Sequence, residues 1–405
     1  MDFNQKRWVY LGLSLVVAIC SGIGYTWSVF QGPLIERFGW DLTTASLIFT
    51  AQIAVSTLTP MVIGRYQARL GTRGYLFIGA LIYGLGLLLT GFTTSFLMFF
   101  IIFGLGVGVG VGMLYPCLMG YGVRIFPEKK GLAAGLLAGS YGAGAILWAP
   151  IAASLENLYD IMTVYKIFGI CFTIIIALFV LVLRDPDEEF IAKTASAMSK
   201  AKGGTAEDKN WPEMVRSWKF YLLLSLFALG TTSGLMVMGH ASSILMENVG
   251  VTATKAAFLV GMISIFNAVG RVFWGVISDS LGRFRILVVL FLVVGLSMVT
   301  LFSAQGTLFV VAIMAVGFVY GGFAALIAPA AADVFGTKYV NVNYGFLYIA
   351  YGIGGVLGPQ IAAFTKNLSG GYSLGFLIVS AFSVIGIGLT FMIFRPTKAV
   401  IEQTA

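Results

Sequence analysis

The chain has 405 residues, of which 59% are hydrophobic and only 10% charged, and its mean hydropathy is +0.94. A soluble domain carries about 25% charged residues, so this composition excludes a soluble globular protein and makes lipid the solvent. The formal net charge of +8 then reads as the mark of basic membrane-flanking loops rather than of a nucleic-acid partner.

A bilayer is crossed by about 20 apolar residues in a helix. In chain order, such windows fall near 8–33, 43–64, 75–95, 96–122, 131–153 and 162–183. The first imitates a signal peptide, but its apolar run is too long and no convincing small-residue cleavage site follows, so a retained span is predicted. Residues 184–217 are charge-rich, contain SKAKGGTAEDKN and predict a flexible linker. Within them WPEMVRSW has the Trp and Arg character of an interfacial helix start. Further windows follow near 219–246, 252–277, 285–303, 306–331, 342–365 and 371–394. The expected fold is an all-α membrane protein with twelve transmembrane helices: a first six-helix bundle over 1–183, the linker over 184–217 and a second bundle over 218–405.

An even number of spans puts both termini on one side. If that side is cytoplasmic, only Arg37, Lys255 and Lys366 lie outside, Lys166 and Arg271 lie in or near the membrane, and every other Lys and Arg lies inside. The excess of positive charge inside sets the orientation, with both termini cytoplasmic in a plasma or inner membrane. The same basic loops suit anionic lipid.

The two bundles repeat one another. GRYQARLGTR (64–73) is echoed by GVISDSLGRFR (275–285), with Gly64 and Gly71 recurring as Gly275 and Gly282. GLLAGSYGAGAILWAPI, with Pro150, is echoed at nearly the same interval by YIAYGIGGVLGPQI, with Pro359. Two pseudo-symmetric halves are a transporter architecture, in which substrate binds near mid-membrane between them.

Arg271 is the charge that this pattern leaves unexplained. It sits in ISIFNAVGRVFWGVIS, and no Asp or Glu falls inside any predicted span. Arginine does not deprotonate in proteins, and an ionised residue inside a membrane is a functional-site hypothesis by default. Snorkelling to the nearer surface is the bland alternative. Side chains lean toward the N-terminus of their helix, which turns Arg271 toward the bilayer middle. Ser264 and Asn267 share its helical face, so a polar stripe lining a cavity is expected. Asn267 then orients the guanidinium or touches substrate, or it acts as helix–helix glue. The partner that Arg271 lacks is most economically the substrate anion.

Other features carry less. GLGVGVGVGMLYP (104–116) alternates glycine within a span and reads as close helix packing, not a nucleotide loop. Cys20, Cys117 and Cys171 lie in apolar spans as packing residues. His240 and Lys166 lie near outer helix ends, where a surface or packing role is expected, with proton relay the alternative for His240. No metal-ligand cluster, nucleophile elbow or P-loop is present. The expectation is therefore no enzyme, no cofactor, no metal, no nucleic-acid partner, and transport driven by gradients rather than by ATP.

The loop pattern G-x-x-x-D-x-x-G-R at Gly275, Asp279, Gly282 and Arg283 resembles the loop motif of the major facilitator superfamily. That resemblance implies a gating staple of helix ends on the cytoplasmic face. The first copy departs from it, with Ala68 in place of the Asp. RIFPEKKGLAAG (124–135) and NYGFLYIAYG (343–352) resemble the bacterial oxalate:formate antiporters and the monocarboxylate transporters. By alignment of these motifs, Tyr25, Tyr115, Tyr320 and Tyr348 match aromatics lining the antiporters' central cavity. A tyrosine offers a hydroxyl to a carboxylate and a ring that excludes water. Tyr351 stands where those antiporters carry a Lys for a second carboxylate, and it shares a helix face with Tyr344 and Tyr348. Asn267 stands where monocarboxylate carriers place an Asp implicated in proton coupling. Those carriers also keep a Lys in helix one, and residues 8–36 hold none.

One fixed cation suits one carboxylate. A dianion would leave a buried charge uncompensated, at a cost on the order of several kcal/mol. The expected protein is a monomeric secondary transporter of small monocarboxylates of the lactate or pyruvate type, working by alternating access. Substrate contacts are expected at Arg271, Asn267, Tyr115, Tyr348, Tyr320, Tyr25 and Tyr351. A proton is the second passenger that the resemblance implies. Proton-independent exchange of the oxalate:formate type and a non-transporting carboxylate sensor are the alternatives.

Overall fold

The computed structural model describes residues 3–40, 42–156, 158–187, 190 and 208–393. Among the described residues, twelve helices are long and apolar enough to cross a membrane. In the first half α1 is Lys6–Gly24, α2 Leu47–Tyr66, α3 Arg69–Thr90, α4 Phe96–Ile125, α5 Lys130–Glu156 and α6 Ile161–Val182. In the second half α7 is Trp218–Val249, α8 Phe258–Leu281, α9 Arg283–Ser303, α10 Gly306–Phe335, α11 Val340–Ser369 and α12 Ser373–Ile393. No strand occurs among the described residues. Helices are what a bilayer permits, since every backbone N–H and C=O must be satisfied without water.

Several helices run past their apolar windows. Apolarity marks only the lipid-spanning part, whereas the i→i+4 ladder continues into polar residues at the bilayer surface. The extensions bring Glu156, Glu247, Asp279 and Asp333 into helices, each at an end. The predicted linker falls largely on residues 188, 189 and 191–207, which lie outside the described residues. After it a short helix, Trp211–Arg216, opens with a capping box in which Asn210 and Glu213 fill each other's backbone donors.

The halves pack by the same scheme. In the first, α1 lies on α5, α2 on α4, and α3 on α6; in the second, α7 lies on α11, α8 on α10, and α9 on α12. The duplication read from the loops is thus also a duplication of packing. Contacts across the halves repeat in the same way, α5 with α8 and α2 with α11. At the α5–α8 crossing Gly131 faces Gly275 so closely that a Cβ on Gly131 would stand 1.9 Å from the Gly275 carbonyl oxygen. Backbones meet there only because neither residue has a side chain. The alternating glycines of α4 work similarly, Gly110 against the Tyr83 backbone and Gly112 against the Ser56 carbonyl.

At the end opposite the linker, Asp160 caps α6. Its carboxylate accepts the Thr163 N–H at 2.7 Å and lies 3.1 Å from the Arg37 guanidinium. Hydrogen bonds from the Thr163 side chain and N–H, with Arg37 adding, hold the carboxyl below the usual carboxylate range. A depressed folded value means stabilisation present at neutral pH and lost as pH falls through that value. Asp160→Ala is expected to destabilise by about 1 kcal/mol at neutral pH. The difference between variant and parent in thermal melts should shrink as the pH is taken into the acid range.

Candidate functional site

Arg271 lies on the linker side of the middle of α8, roughly 15 Å from the helix end at 1.5 Å per residue. It is 3% exposed. Its side chain leans toward the N-terminal end of α8, where Nε donates to Asn267 Oδ1 at 3.1 Å. Asn267 in turn donates from Nδ2 to the Gly317 carbonyl of α10 at 3.1 Å. Both ends of the amide are used, so Asn267 fixes the guanidinium plane and ties it to α10.

The guanidinium also crosses between the halves. One terminal nitrogen donates to the Ala138 carbonyl of α5 at 2.7 Å. Its carbon would stand 3.3 Å from a Cβ at Gly142, so the fork lies close against α5 where a side chain is missing. Both of these acceptors are neutral oxygens. The acidic residues of these helices stand at helix ends. Ser264, the third residue of the predicted polar stripe, turns its hydroxyl back to the Val260 carbonyl of its own helix. The connected pair is Asn267 and Arg271.

Tyrosines from both halves meet beside this cation. The Tyr115 ring of α4 lies 4.2 Å from Tyr141 of α5 and 5.6 Å from Tyr348 of α11. Tyr344 and Tyr351 flank Tyr348 at 5.7 and 5.4 Å, Tyr351 in a parallel stack. The Tyr344 hydroxyl hydrogen-bonds with Tyr115 and feels the charge of Arg271. Of the residues singled out from the sequence, Tyr115, Tyr348 and Tyr351 are brought together here. Tyr320 of α10 is packed against Gly234 of α7, where a Cβ would meet its ring at 2.2 Å. The side chain of Tyr25 lies outside the described residues. Tyr141 and Tyr344 join the cluster without having been singled out as site residues.

The family model described as the Major Facilitator Superfamily matches residues 13–243 and 222–405. The chain belongs to the Major Facilitator Superfamily. It is a multi-pass membrane transporter and not an enzyme. Among curated relatives it is 29% identical to an oxalate:formate antiporter of Oxalobacter formigenes, over 98% of this chain and 94% of that protein. It is 23% identical to monocarboxylate transporter 13 of Rattus norvegicus, over 92% of this chain and 85% of that one. It is 25% identical to apicoplast pyruvate carrier 1 of Toxoplasma gondii, over 76% of this chain and 67% of that one. Among solved structures, a facilitator-superfamily transporter, FucP, crystallised in an outward conformation, superposes with a TM-score of 0.73 at 15% identity, covering 96% of this chain and 98% of that one.

In this facilitator the loop after α8 joins the halves at the linker end. Asp279 accepts the N–H groups of Gly131 and Leu132, at the N-terminus of α5, at 2.8 and 2.9 Å. Arg283 pairs with Asp279 and, at 3.3 Å, with Asp333 at the end of α10. Lys130 reaches Asp333 at 2.6 Å. Gly282 has φ +90°, a conformation that favours glycine. The loop after α2 is different. With Ala68 in the acidic position, its Thr72 binds Asp185 of the linker, which also pairs with Arg124 at 3.2 Å. The staple across the halves is thus one-sided.

Sequence reasoning had no handle on Ala138, Gly142, Lys130 or Asp333. A backbone carbonyl carries no residue-type signal, and the pairing of Lys130 with Asp333 spans the two halves. Among the described residues no group of His, Cys, Asp or Glu converges as a metal site. Cys20 and Cys117 are buried, Cys171 is exposed, and all are free thiols.

Proposed function

We propose that this facilitator is a secondary transporter of small monocarboxylate anions, of the lactate or pyruvate kind, working by alternating access as a monomer. The observation that carries the reading is Arg271: a buried guanidinium hydrogen-bonded to neutral oxygens, between the halves and beside a tyrosine cluster. A carboxylate takes two charge-assisted bonds from the guanidinium fork. Tyr115 and Tyr348 close over it with rings and hydroxyls, Tyr351 backs Tyr348, Asn267 holds the fork in plane, and Tyr320 is a further contact. The names of the relatives, antiporters and carriers of small organic acids, support the same class. The linker end, with both termini, faces the cytoplasm of a cell's plasma or inner membrane, and the units are residues 1–183 and 218–405 joined by 184–217.

A proton accompanies the anion in the leading reading. The acidic residues of α8 and α10 stand at helix ends, so among the described residues no carboxyl of these helices carries the proton at the site, and the proton joins the carboxylate as it leaves Arg271. The same lack of a resident carrier favours a second reading, anion exchange without a proton. Proteoliposomes given radiolabelled lactate, pyruvate, acetate, formate and oxalate separate the two. Monocarboxylates should be preferred to oxalate, and an inward proton gradient should stimulate uptake. Uptake indifferent to that gradient but dependent on an internal counter-anion would establish exchange, and uptake of none of the five would overturn both readings.

A further inference from the structure

We infer that Tyr83 and Trp148 are positioning residues that hold a built-in break in α1 against the tyrosine cluster, an inference that rests on the transport reading above. The first span is not one continuous α-helix. Phe3–Ser21 is α-helical, Gly22–Thr26 is a 3₁₀ segment, and Trp27–Phe38 is α-helical again. Where i→i+4 bonding gives way to i→i+3, carbonyls at the junction lose their partners within the helix. Within a bilayer no water can fill them.

Two side chains from other helices do so. The Trp148 indole N–H of α5 donates to the Ile19 carbonyl at 2.9 Å, and the Tyr83 hydroxyl of α3 donates to the Cys20 carbonyl at 2.8 Å. These successive carbonyls lie just before the last α-helical residue, Ser21. Both donors are steadied by one residue of α6: Phe172 packs edge-on to Trp148 at 4.8 Å and parallel to Tyr83 at 6.4 Å. Three helices therefore grip the break, and no proline lies within it to explain the distortion.

The break leads to the site. A Cβ on Gly22 would stand 2.1 Å from the Tyr141 carbonyl oxygen, so the backbones of α1 and α5 are in direct contact there. The Tyr141 ring is in turn 4.2 Å from that of Tyr115. Tyr83 and Trp148 touch none of the proposed substrate groups. They act through the course of α1, which sets where Tyr141, and hence Tyr115, stands relative to Arg271. A 3₁₀ stretch between two α-helical segments, with tertiary donors on the carbonyls that lead into it, is a feature held by neighbouring helices and not a frayed end.

The test uses the whole protein in proteoliposomes. Tyr83→Phe keeps the ring on Phe172 and deletes only the donor; Trp148→Phe removes the second donor. Tyr165→Phe is the control, because its buried hydroxyl on α6 has no hydrogen-bond partner among the described residues. Cys20, 1% exposed and at the break, gives a readout independent of substrate: its alkylation by N-ethylmaleimide, followed by peptide mass spectrometry. Losing the donor leaves a buried carbonyl unsatisfied, so Tyr83→Phe should speed Cys20 alkylation about tenfold. It should also raise the KM for L-lactate about fivefold with Vmax little changed, and Trp148→Phe should act in the same direction. Parental alkylation and KM in both variants would overturn the inference. So would a lower Tm with an unchanged KM, which marks a role in stability alone. If the parent carries no small carboxylate, it is the transport reading that falls, while Cys20 alkylation still decides whether the two donors hold the break.

Discussion

Replacing Arg271 with alanine is expected to abolish carboxylate uptake while the protein still folds and inserts. A fork that gives two charge-assisted bonds to a carboxylate contributes about 3 kcal/mol or more, so binding should weaken at least roughly a hundredfold. Stability should respond differently. Without substrate the guanidinium is a buried cation held by the oxygens of Ala138 and Asn267, and burying an ion carries a desolvation cost that neutral acceptors only partly offset. Alanine removes that cost but leaves the Ala138 carbonyl and Asn267 Oδ1 without their donor, so the substrate-free Tm of Arg271→Ala should stay close to that of the parent. Added lactate should raise the Tm of the parent and not of the variant, as mass action on the folded state requires. Arg271→Lys keeps the charge but has one ammonium where the fork has several donors, and it cannot hold Asn267 and Ala138 in the same plane; residual, weakened uptake is expected. Uptake by Arg271→Ala at the parental rate would remove Arg271 from the site.

The separation of stability from uptake matters because most losses of function come from loss of fold. Here the group with the largest predicted effect on transport is one that the empty protein holds at a cost. The Asn267 amide shows how that cost is limited: it accepts from Nε and passes the connection on to Gly317 of α10. A polar pair in a helix interior is tolerated in lipid when each member is satisfied. Asn267 and Arg271 satisfy each other and two neighbouring helices.

What was legible in the sequence and what was not divides along the range of the interaction. The spans were legible because lipid imposes apolarity residue by residue, and their ends were not, because a helix continues after apolarity stops; Asp279 and Asp333 are helical for that reason. The duplication was legible in paired glycines and prolines and reappears in the pairing of helices. Arg271 and Asn267 were legible because a charge and an amide in an apolar run are anomalies at their own positions. Tyr115 and Tyr348 were found only through resemblance, since a tyrosine in a membrane helix is not anomalous. Tyr141 escaped for the same reason, although it packs closer to Tyr115 than Tyr348 does. The Ala138 carbonyl that receives the guanidinium has no signature at all. The one-sided staple was half legible: Ala68 announced a missing acid, but that Thr72 would turn to Asp185 of the linker could be seen only in three dimensions.

That asymmetry makes Asp279 the second position with a large expected effect. Its carboxylate takes two N–H groups at the N-terminus of α5 and the charge of Arg283. Acceptors of that kind are favoured by the helix dipole and by charge-assisted bonding. Asp279→Asn keeps one acceptor oxygen, loses the charge, and leaves Arg283 with Asp333 as its acidic partner beside the Ser278 hydroxyl. A loss of about 2 kcal/mol from the contact would shift the balance between closed and open linker ends roughly thirtyfold toward open. The loop after α2 carries Ala68 in the acidic position and its Thr72 binds Asp185 of the linker, so among the described residues that loop has no counterpart of the Asp279 staple. Spin labels at Leu70→Cys and Leu281→Cys, exposed positions on either half at that end, should report longer and broader distances in Asp279→Asn than in the parent. Uptake should fall tenfold or more as the closed state becomes scarce, while Ala68→Asp, which restores the acid of the loop pattern, should move the distances back. An unchanged distance distribution in Asp279→Asn would show that the glycine crossing of α5 on α8 holds the halves without the carboxylate.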